Sequence, residues 1–377
     1  MSKADVVQAA DWEKAVEFYR QRGGVLFLSY CRFWERHGFV QQSLALRLAR
    51  HGVNVVWFDG ADWRSYDPVV VEPTRTLCVS QLPAIPLRRF AFFDQWDRKA
   101  KSNFLKQQIK KMGGNPVIWV QAGIDEVVAS DLPYIDVFSV FDDPYRHRPE
   151  GALCQKAKVI VCQNRTARDV LLPMHEEKAH VLWPPVDMLD SSLQGAAEVF
   201  LPPGFPSKVM GYVGSFFDEG FDFGLFEQFI HQFPDWGFVL MGRTNQKGLE
   251  VLSKWKELKN FHYFPWVPRN QVASVWKKLS LTLLFYRPNR TQDGAFPVKI
   301  VEALRFGVPG IATAVPKTAD LEGFFPRSSE LDELKTSVEK ALEIPAKELG
   351  AFYQRFSQEM DPRFHLSRVA QWLEKGE

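Results

Sequence analysis

No apolar run in this 377-residue chain reaches the ~20 residues a membrane-spanning helix requires. The first stretch, MSKADVVQAADWEKAVEFYRQRGG, lacks the apolar centre of a signal peptide. The expectation is a cytoplasmic protein. Cysteine is scarce: Cys31, Cys78, Cys154 and Cys162 are the four, and none forms a C-x-x-C pair. Buried free thiols fit this pattern better than a disulfide framework or a zinc site. Charge of one sign is also lacking. A net charge of +2 gives no electrostatic footprint for nucleic acid. There is no Asp-x-Asp pair, so metal independence is expected, with no bound cofactor. Internal repeats and low-complexity tracts are absent as well.

What is present is an ordinary globular composition, 46% apolar and 24% charged, with abundant aromatics: 31 Phe and 12 Trp. The length exceeds that of a usual single core, so two domains are expected. The first half alternates short apolar runs with helical stretches. GGVLFLSYC, NVVWFDG, TLCVSQLP, NPVIWVQAG, YIDVFSVFDD, AKVIVCQN and HVLWPPVD read as strands. FVQQSLALRLARHG and TARDVLLPM read as helices between them. The second half repeats this grammar from KVMGYVGSF onward, through WGFVLMGR, NFHYFPWVP, LSLTLLFYRP and VPGIATAVP. Such alternation argues for parallel sheets covered by helices on both faces. In FDFGLFEQFIHQF, Phe223, Phe226, Phe229 and Phe233 fall on one helix face and read as core. A Gly-, Pro- and Ser-rich stretch, 191–207, marks the boundary. The expected domains are 1–190, 191–360 and a C-terminal helix, 361–377, crossing back to the first domain.

The most informative run is FPVKIVEALRFGVPGIAT, Phe296 to Thr313. Pro297 suits the start of a helix, and Gly307 followed by Pro309 suits its end. Lys299 and Glu302 share one face. A cation opposes the dipole at a helix N-terminus, so Lys299 there is better explained by an anionic ligand. Glu302, one turn further on, has the chemistry to accept hydrogen bonds from a ribose diol. The plainer alternative is an amphipathic helix whose Lys and Glu face water. Gly214 and Ser215, at the end of GYVGSF, are placed to bring backbone amides near a phosphate, because ligands gather at the carboxyl ends of parallel strands.

Pro297, Lys299, Glu302, Ala303, Gly307 and Pro309 resemble the nucleotide-binding signature of GT-B glycosyltransferases of the bacterial group 1 type. The resemblance implies an α/β fold, GT-B, with two Rossmann-like doubly wound domains facing a cleft. It implies an N-terminal acceptor-binding domain and a C-terminal nucleotide-sugar-binding domain. In this family the glutamate binds the ribose and the basic residue approaches the diphosphate. The same resemblance puts Val298, Arg243, Trp266, Val267 and Tyr286 around the donor. Arg243 follows the strand WGFVLMG as a second phosphate cation or a solvated loop arginine. Trp266 either stacks on the base or sits in the core. Many relatives carry a further glutamate eight positions before Glu302, where this chain has Gly294 beside Asp293.

A base-assisted transfer needs a carboxylate or histidine for the acceptor hydroxyl. Asp142 and Asp143, closing the strand YIDVFSVFDD, are the candidates, with Glu35 and His37 behind them. This strand resembles the catalytic-aspartate strand of exopolysaccharide glucuronosyltransferases, and the match implies Asp143 as the base. The competing account is an Asp-Pro turn capped by its own carboxylates. Retaining relatives often carry a histidine after the fourth strand, where this chain reads WVQAGIDE with Gln121, which favours inversion.

Finally, Arg88, Arg89, Phe92 and Phe93 open a run, Pro86 to Lys111, that interleaves aromatics with Arg98, Lys99, Lys101, Lys106, Lys110 and Lys111. Such a run either meets anionic lipid at the inner face of the cell membrane or forms an ordinary surface helix. The expected partners are therefore a UDP- or GDP-sugar, a glycan or lipid-linked acceptor and an anionic membrane surface, without nucleic acid. The expected activity is an inverting, metal-independent sugar transfer. The alternatives are a sugar-nucleotide epimerase or hydrolase of the same fold, or a catalytically silent glycan- or protein-binding module.

Overall fold

The computed structural model describes residues 9–29, 33, 40–59, 69–71, 76–82, 91–121, 131–140, 150–171, 174–186, 198–265, 267, 269–289, 296–321 and 325–376. The chain divides into two compact units, Met1–Asp187 with Gln358–Glu377, and Met188–Ser357.

The first unit runs α1 (Ala9–Gln21), β1 (Val25–Leu28), α2 (Val40–Arg50), β2 (Val55–Asp59), β3 (Val69–Val70), β4 (Leu77–Gln81), α3 (Ala91–Lys111), β5 (Val117–Gln121), β6 (Ile135–Val140), α4 (Ala152–Lys156), β7 (Ala157–Cys162), α5 (Arg165–Leu171) and β8 (Ala179–Val181). The second holds β9 (Val209–Val213), α6 (Phe223–Gln232), β10 (Gly237–Met241), α7 (Gln246–Trp255), β11 (Phe261–Phe264), α8 (Arg269–Trp276), β12 (Leu281–Leu284), α9 (Lys299–Arg305), β13 (Gly310–Ala312) and α10 (Leu331–Leu342). Helix α11 (Ala346–Glu359) leads out of it, and α12 (Pro362–Lys375) belongs to the first unit.

The first sheet has eight strands in the order β3-β4-β2-β1-β5-β6-β7-β8. Every pairing is parallel except that of β3, which runs antiparallel on β4. A parallel sheet is covered on both faces, which is why its strands read as near-continuous apolar runs. Phe27, Trp57, Val79 and Trp119 pack on one face with Tyr19 of α1, Leu48 of α2 and Leu366 of α12. Leu28, Val120 and Phe138 pack on the other with Leu105 of α3 and Leu171 of α5. Helix α1 is thus a core element, although its sequence was read only for a missing signal peptide.

Helix α12 is fixed to the first unit at several points. Asp361 caps it, accepting the Arg363 N–H at 2.7 Å, with Pro362 in the first turn. The Tyr19 hydroxyl donates to the Leu366 carbonyl at 3.0 Å. The rings of His180 and Trp372 stack 3.9 Å apart. His365 is buried, and burial drives its imidazole pKa down to about 3.

The second sheet is all parallel, in the order β11-β10-β9-β12-β13. Asp222 caps α6 by accepting the Leu225 N–H at 3.0 Å, and Asn245 caps α7 by accepting the Gly248 N–H at 3.1 Å. Phe223, Phe226 and Phe229 are buried, as the helix-face spacing required, while Phe233 is half-buried. Cys154 and Cys162 are buried free thiols, and Cys78 is a half-buried one. No described helix is long and apolar enough to cross a membrane.

Candidate functional site

The carboxyl ends of β9, β10 and β12 and the start of α9 converge in the second unit. Gly214 directly follows β9 and Gly242 directly follows β10, and the two loops touch through their backbones. A Cβ on Gly242 would lie 2.0 Å from the Gly214 carbonyl oxygen, and φ there is +136°. Only glycine fits that approach. A Cβ on Gly214 would meet the Tyr212 hydroxyl at 2.9 Å and Lys299 Cε at 3.2 Å. The end of β9 therefore lies directly against the Lys299 side chain.

Lys299 Nζ stands 3.4 Å from Glu302 Oε2. Their side chains differ in exposure, at 36% and 8%, so the ammonium reaches water while the carboxylate is nearly closed to it. Helix α9 holds them on one face and ends as expected. Gly307 takes φ +69°, its N–H donates to the Leu304 carbonyl at 3.0 Å, and Val308 N–H donates to the Ala303 carbonyl at 3.0 Å. This is a Schellman closure.

The start of α9 departs from expectation. Pro297 lies two residues before the helix rather than in its first turn. Ile300 N–H donates to the Pro297 carbonyl at 3.0 Å, and Val301 and Glu302 donate to that of Val298 at 3.0 and 3.4 Å. Val298 N–H donates to the Phe296 carbonyl at 2.9 Å. The tight turn keeps these amides to itself, so the positive charge at the start of α9 is that of the Lys299 side chain. The Gly214 amide is likewise engaged, donating to the Met241 carbonyl at 2.9 Å. The Ser215 amide has no acceptor among the described residues.

Ser215 is held by a relay that the sequence did not reveal. The Tyr212 hydroxyl donates to the Ser215 carbonyl at 3.1 Å, and Tyr286 hydrogen-bonds to Tyr212 in turn. Burial pushes the Tyr212 phenol up to about 12, opposed by the Tyr286 hydrogen bond and helped by the charge of Glu302. Burial also raises Tyr286 well above a normal phenol. Both hydroxyls therefore stay protonated donors at neutral pH. The visible signal was the tyrosine inside GYVG, read only as part of a strand.

Arg243 is exposed, and its carbonyl accepts the Phe216 N–H at 2.9 Å, which ties the two loops together. Val267 packs its side chain on the apolar cluster of Val213, Met241 and Ala303. Trp266, Asp142, Asp143, Glu35, His37, Arg88, Arg89 and the Phe92 side chain lie outside the described residues. Phe93 is half-buried on α3. On that helix Trp96 is 58% exposed, and Lys99, Lys106, Lys110 and Lys111 are exposed. Lys101 does not join them. It is buried and pairs with Asp97, and Arg98 pairs with Asp94 at 2.6 Å.

Residues 207–343 match the sequence model of the family described as glycosyl transferases group 1. The chain has the GT-B fold, and the part of its second unit that matches is similar to group 1 glycosyltransferases. A 177-residue stretch is 23% identical to TuaH of Bacillus subtilis (strain 168), named as a candidate teichuronic acid biosynthesis glycosyltransferase. The match takes in 46% of the chain and 44% of that relative's length. Among solved structures, Anabaena HepE in complex with UDP and glucose superposes with a TM-score of 0.62 at 13% identity, covering 93% of this chain and 98% of that one. The lipopolysaccharide outer core galactosyltransferase WaaB, in its apo form, superposes at 0.63 and 13%, covering 93% and 99%. The group 1 match contains Gly214, Arg243, Lys299 and Glu302, the residues that the geometry gathers at the strand ends.

Proposed function

We propose that the protein transfers a sugar from a UDP- or GDP-sugar to a hydroxyl of a glycan or lipid-linked acceptor. One observation carries the reading: Lys299 lies against Gly214 at the end of β9 while pairing with the nearly buried Glu302. A cation beside a glycine turn is suited to a diphosphate, and a buried carboxylate one helical turn away is suited to a ribose diol. The Ser215 amide adds a donor that costs no reorganisation, being fixed through Tyr212 and Tyr286. In this reading Lys299, with Arg243, balances the charge of the leaving diphosphate in place of a divalent cation. Asp143, with Asp142 as the alternative, accepts the proton of the attacking hydroxyl, and the anomeric centre inverts.

The exposed face of α3 supports peripheral attachment to an anionic membrane. Trp96, Lys99, Lys106 and Lys110 recur at helical spacing, a tryptophan ahead of three cations. A thermal-shift screen of UDP, GDP and their sugars tests the donor reading. Stabilisation by one nucleotide family is the expected result. A melting curve that ignores all of them at millimolar concentration removes it.

A further inference from the structure

The loop between β9 and α6, residues 214–222, begins at Gly214 against the Lys299 side chain. It is fastened on both flanks within the second unit. On one flank it meets the loop after β10. Phe216 N–H donates to the Arg243 carbonyl at 2.9 Å, and Thr244 Oγ1 donates to the Phe216 carbonyl at 2.6 Å. On the other it meets the segment after β12. Asp222 N–H donates to the Phe285 carbonyl at 2.8 Å, Arg287 N–H to the Gly220 carbonyl at 3.0 Å, and Asn289 Nδ2 to the Glu219 carbonyl. Asp218 joins the two flanks. Its carboxylate accepts from Asn245 Nδ2 and pairs with Lys247 Nζ at 3.0 Å, while its carbonyl accepts from Arg287 Nη1 at 3.3 Å. The Asn245 amide is oriented by its other end, because Oδ1 caps α7. The Nδ2 end is therefore a donor that needs an acceptor, and Asp218 supplies it. These partners hold the Asp218 carboxyl below the usual carboxylate range, Asn245 first and Lys247 next.

Such a clasp does little for the fold. The Lys247 side chain is 77% exposed, and an ion pair with one partner in water contributes little to stability. A carboxylate beside a diphosphate site also repels the ligand unless donors answer its charge. A network that serves the shape of the loop accounts for both points. A binding loop already fixed in its bound conformation loses no further freedom when the ligand arrives. We propose that Asp218 is a positioning residue: it holds the loop carrying Gly214 and Ser215 in the form that receives the donor's diphosphate, without touching the donor itself. The proposal rests on the donor reading above and concerns the second unit alone.

The test compares wild type with Asp218→Ala and with Asp218→Asn, which keeps an oxygen acceptor for the Asn245 amide. Hydrogen–deuterium exchange reads the loop. The hydrogen-bonded amides of Phe216, Gly220, Phe221 and Asp222 should exchange about tenfold faster in Asp218→Ala, and Asp218→Asn should restore most of the protection. Calorimetry of UDP and GDP reads the ligand. The nucleotide that wild type binds should bind Asp218→Ala about 3–10-fold more weakly, the cost of ordering a freed loop. Asp218→Asn should recover that affinity, and the melting temperature of both variants should stay within about 2 °C of wild type. Faster exchange with undiminished affinity would confine Asp218 to local structure and overturn the proposal. Wild-type exchange in Asp218→Ala would overturn it too, and so would a loss of affinity matched by an early melt. Wild type that binds neither nucleotide defeats the donor reading itself, whereas equal binding by wild type and Asp218→Ala defeats only the positioning role.

Discussion

Replacing Glu302 by alanine separates a donor contact from a structural one. The carboxylate is 8% exposed, and its partner Lys299 Nζ, 3.4 Å away, is on a side chain 36% exposed. Removing the carboxylate leaves behind a cation that water can reach, so the fold should lose only ~1 kcal/mol or less, the range of partly exposed pairs. Removing the lysine would be worse, because it would strand a buried carboxylate. The ligand effect of Glu302→Ala should be larger than its effect on the fold. A charge-assisted hydrogen bond to a ribose hydroxyl contributes ~1.5–3 kcal/mol, or about 10–150-fold in Kd. Calorimetric titration of UDP and GDP into wild type and variant reads this directly, with thermal melting as the control for folding. Equal affinities would refute the ribose assignment. A weaker affinity matched by an equally large fall in stability would assign Glu302 to the fold instead.

Further outcomes follow from the same geometry. Asp143→Asn should cut turnover ~10²–10⁴-fold and leave UDP or GDP affinity intact, as expected for a lost general base; near-normal turnover would remove the role. Liposome flotation should show binding to anionic vesicles at low salt that Lys99→Glu with Lys106→Glu abolishes and high salt screens; indifference of wild type to anionic lipid would make α3 an ordinary surface helix. His365, held neutral with a folded pKa of about 3 against ~6.5 when unfolded, contributes stability that is complete above the unfolded value and lost as pH falls. Urea unfolding should therefore lose about 2 kcal/mol from this group between pH 7 and pH 5. The variant His365→Gln, which takes up no proton, should lose that much less, and an identical pH slope in both would contradict the assignment.

Much of this was legible in the sequence because buried parallel strands announce themselves. VLFL, VVWFD and VIWVQ are continuous apolar runs of strand length, bounded by glycine or polar residues. Helix α1 was not legible. Trp12 and Tyr19 mark a buried face only once the chain lies against α12, far along the sequence. The two-residue β3 is too short to have a period. At the donor site, Lys299 and Glu302 are local, three residues apart, and their pairing follows from helix geometry. The Tyr286–Tyr212–Ser215 relay joins β12 to β9, and only the strand order brings those ends together. Gln121 is subtler still. Its residue type was plain, but its amide is buried with neither Nε2 nor Oε1 hydrogen-bonded, a property of its surroundings that no local pattern encodes. The same holds for Lys101: spacing counted it among the cations of α3, and burial against Asp97 withdrew it.

The most direct test of the account is turnover itself. Purified protein is incubated with UDP- and GDP-sugars, one at a time, with and without membranes and cell-wall glycans as acceptors. Nucleotide release and the anomeric configuration of the product are followed by NMR. The account predicts release of UDP or GDP that depends on the hydroxyl acceptor, is lost in Glu302→Ala, and yields an inverted anomeric centre. Tight nucleotide binding without acceptor-dependent release from any sugar nucleotide would contradict it.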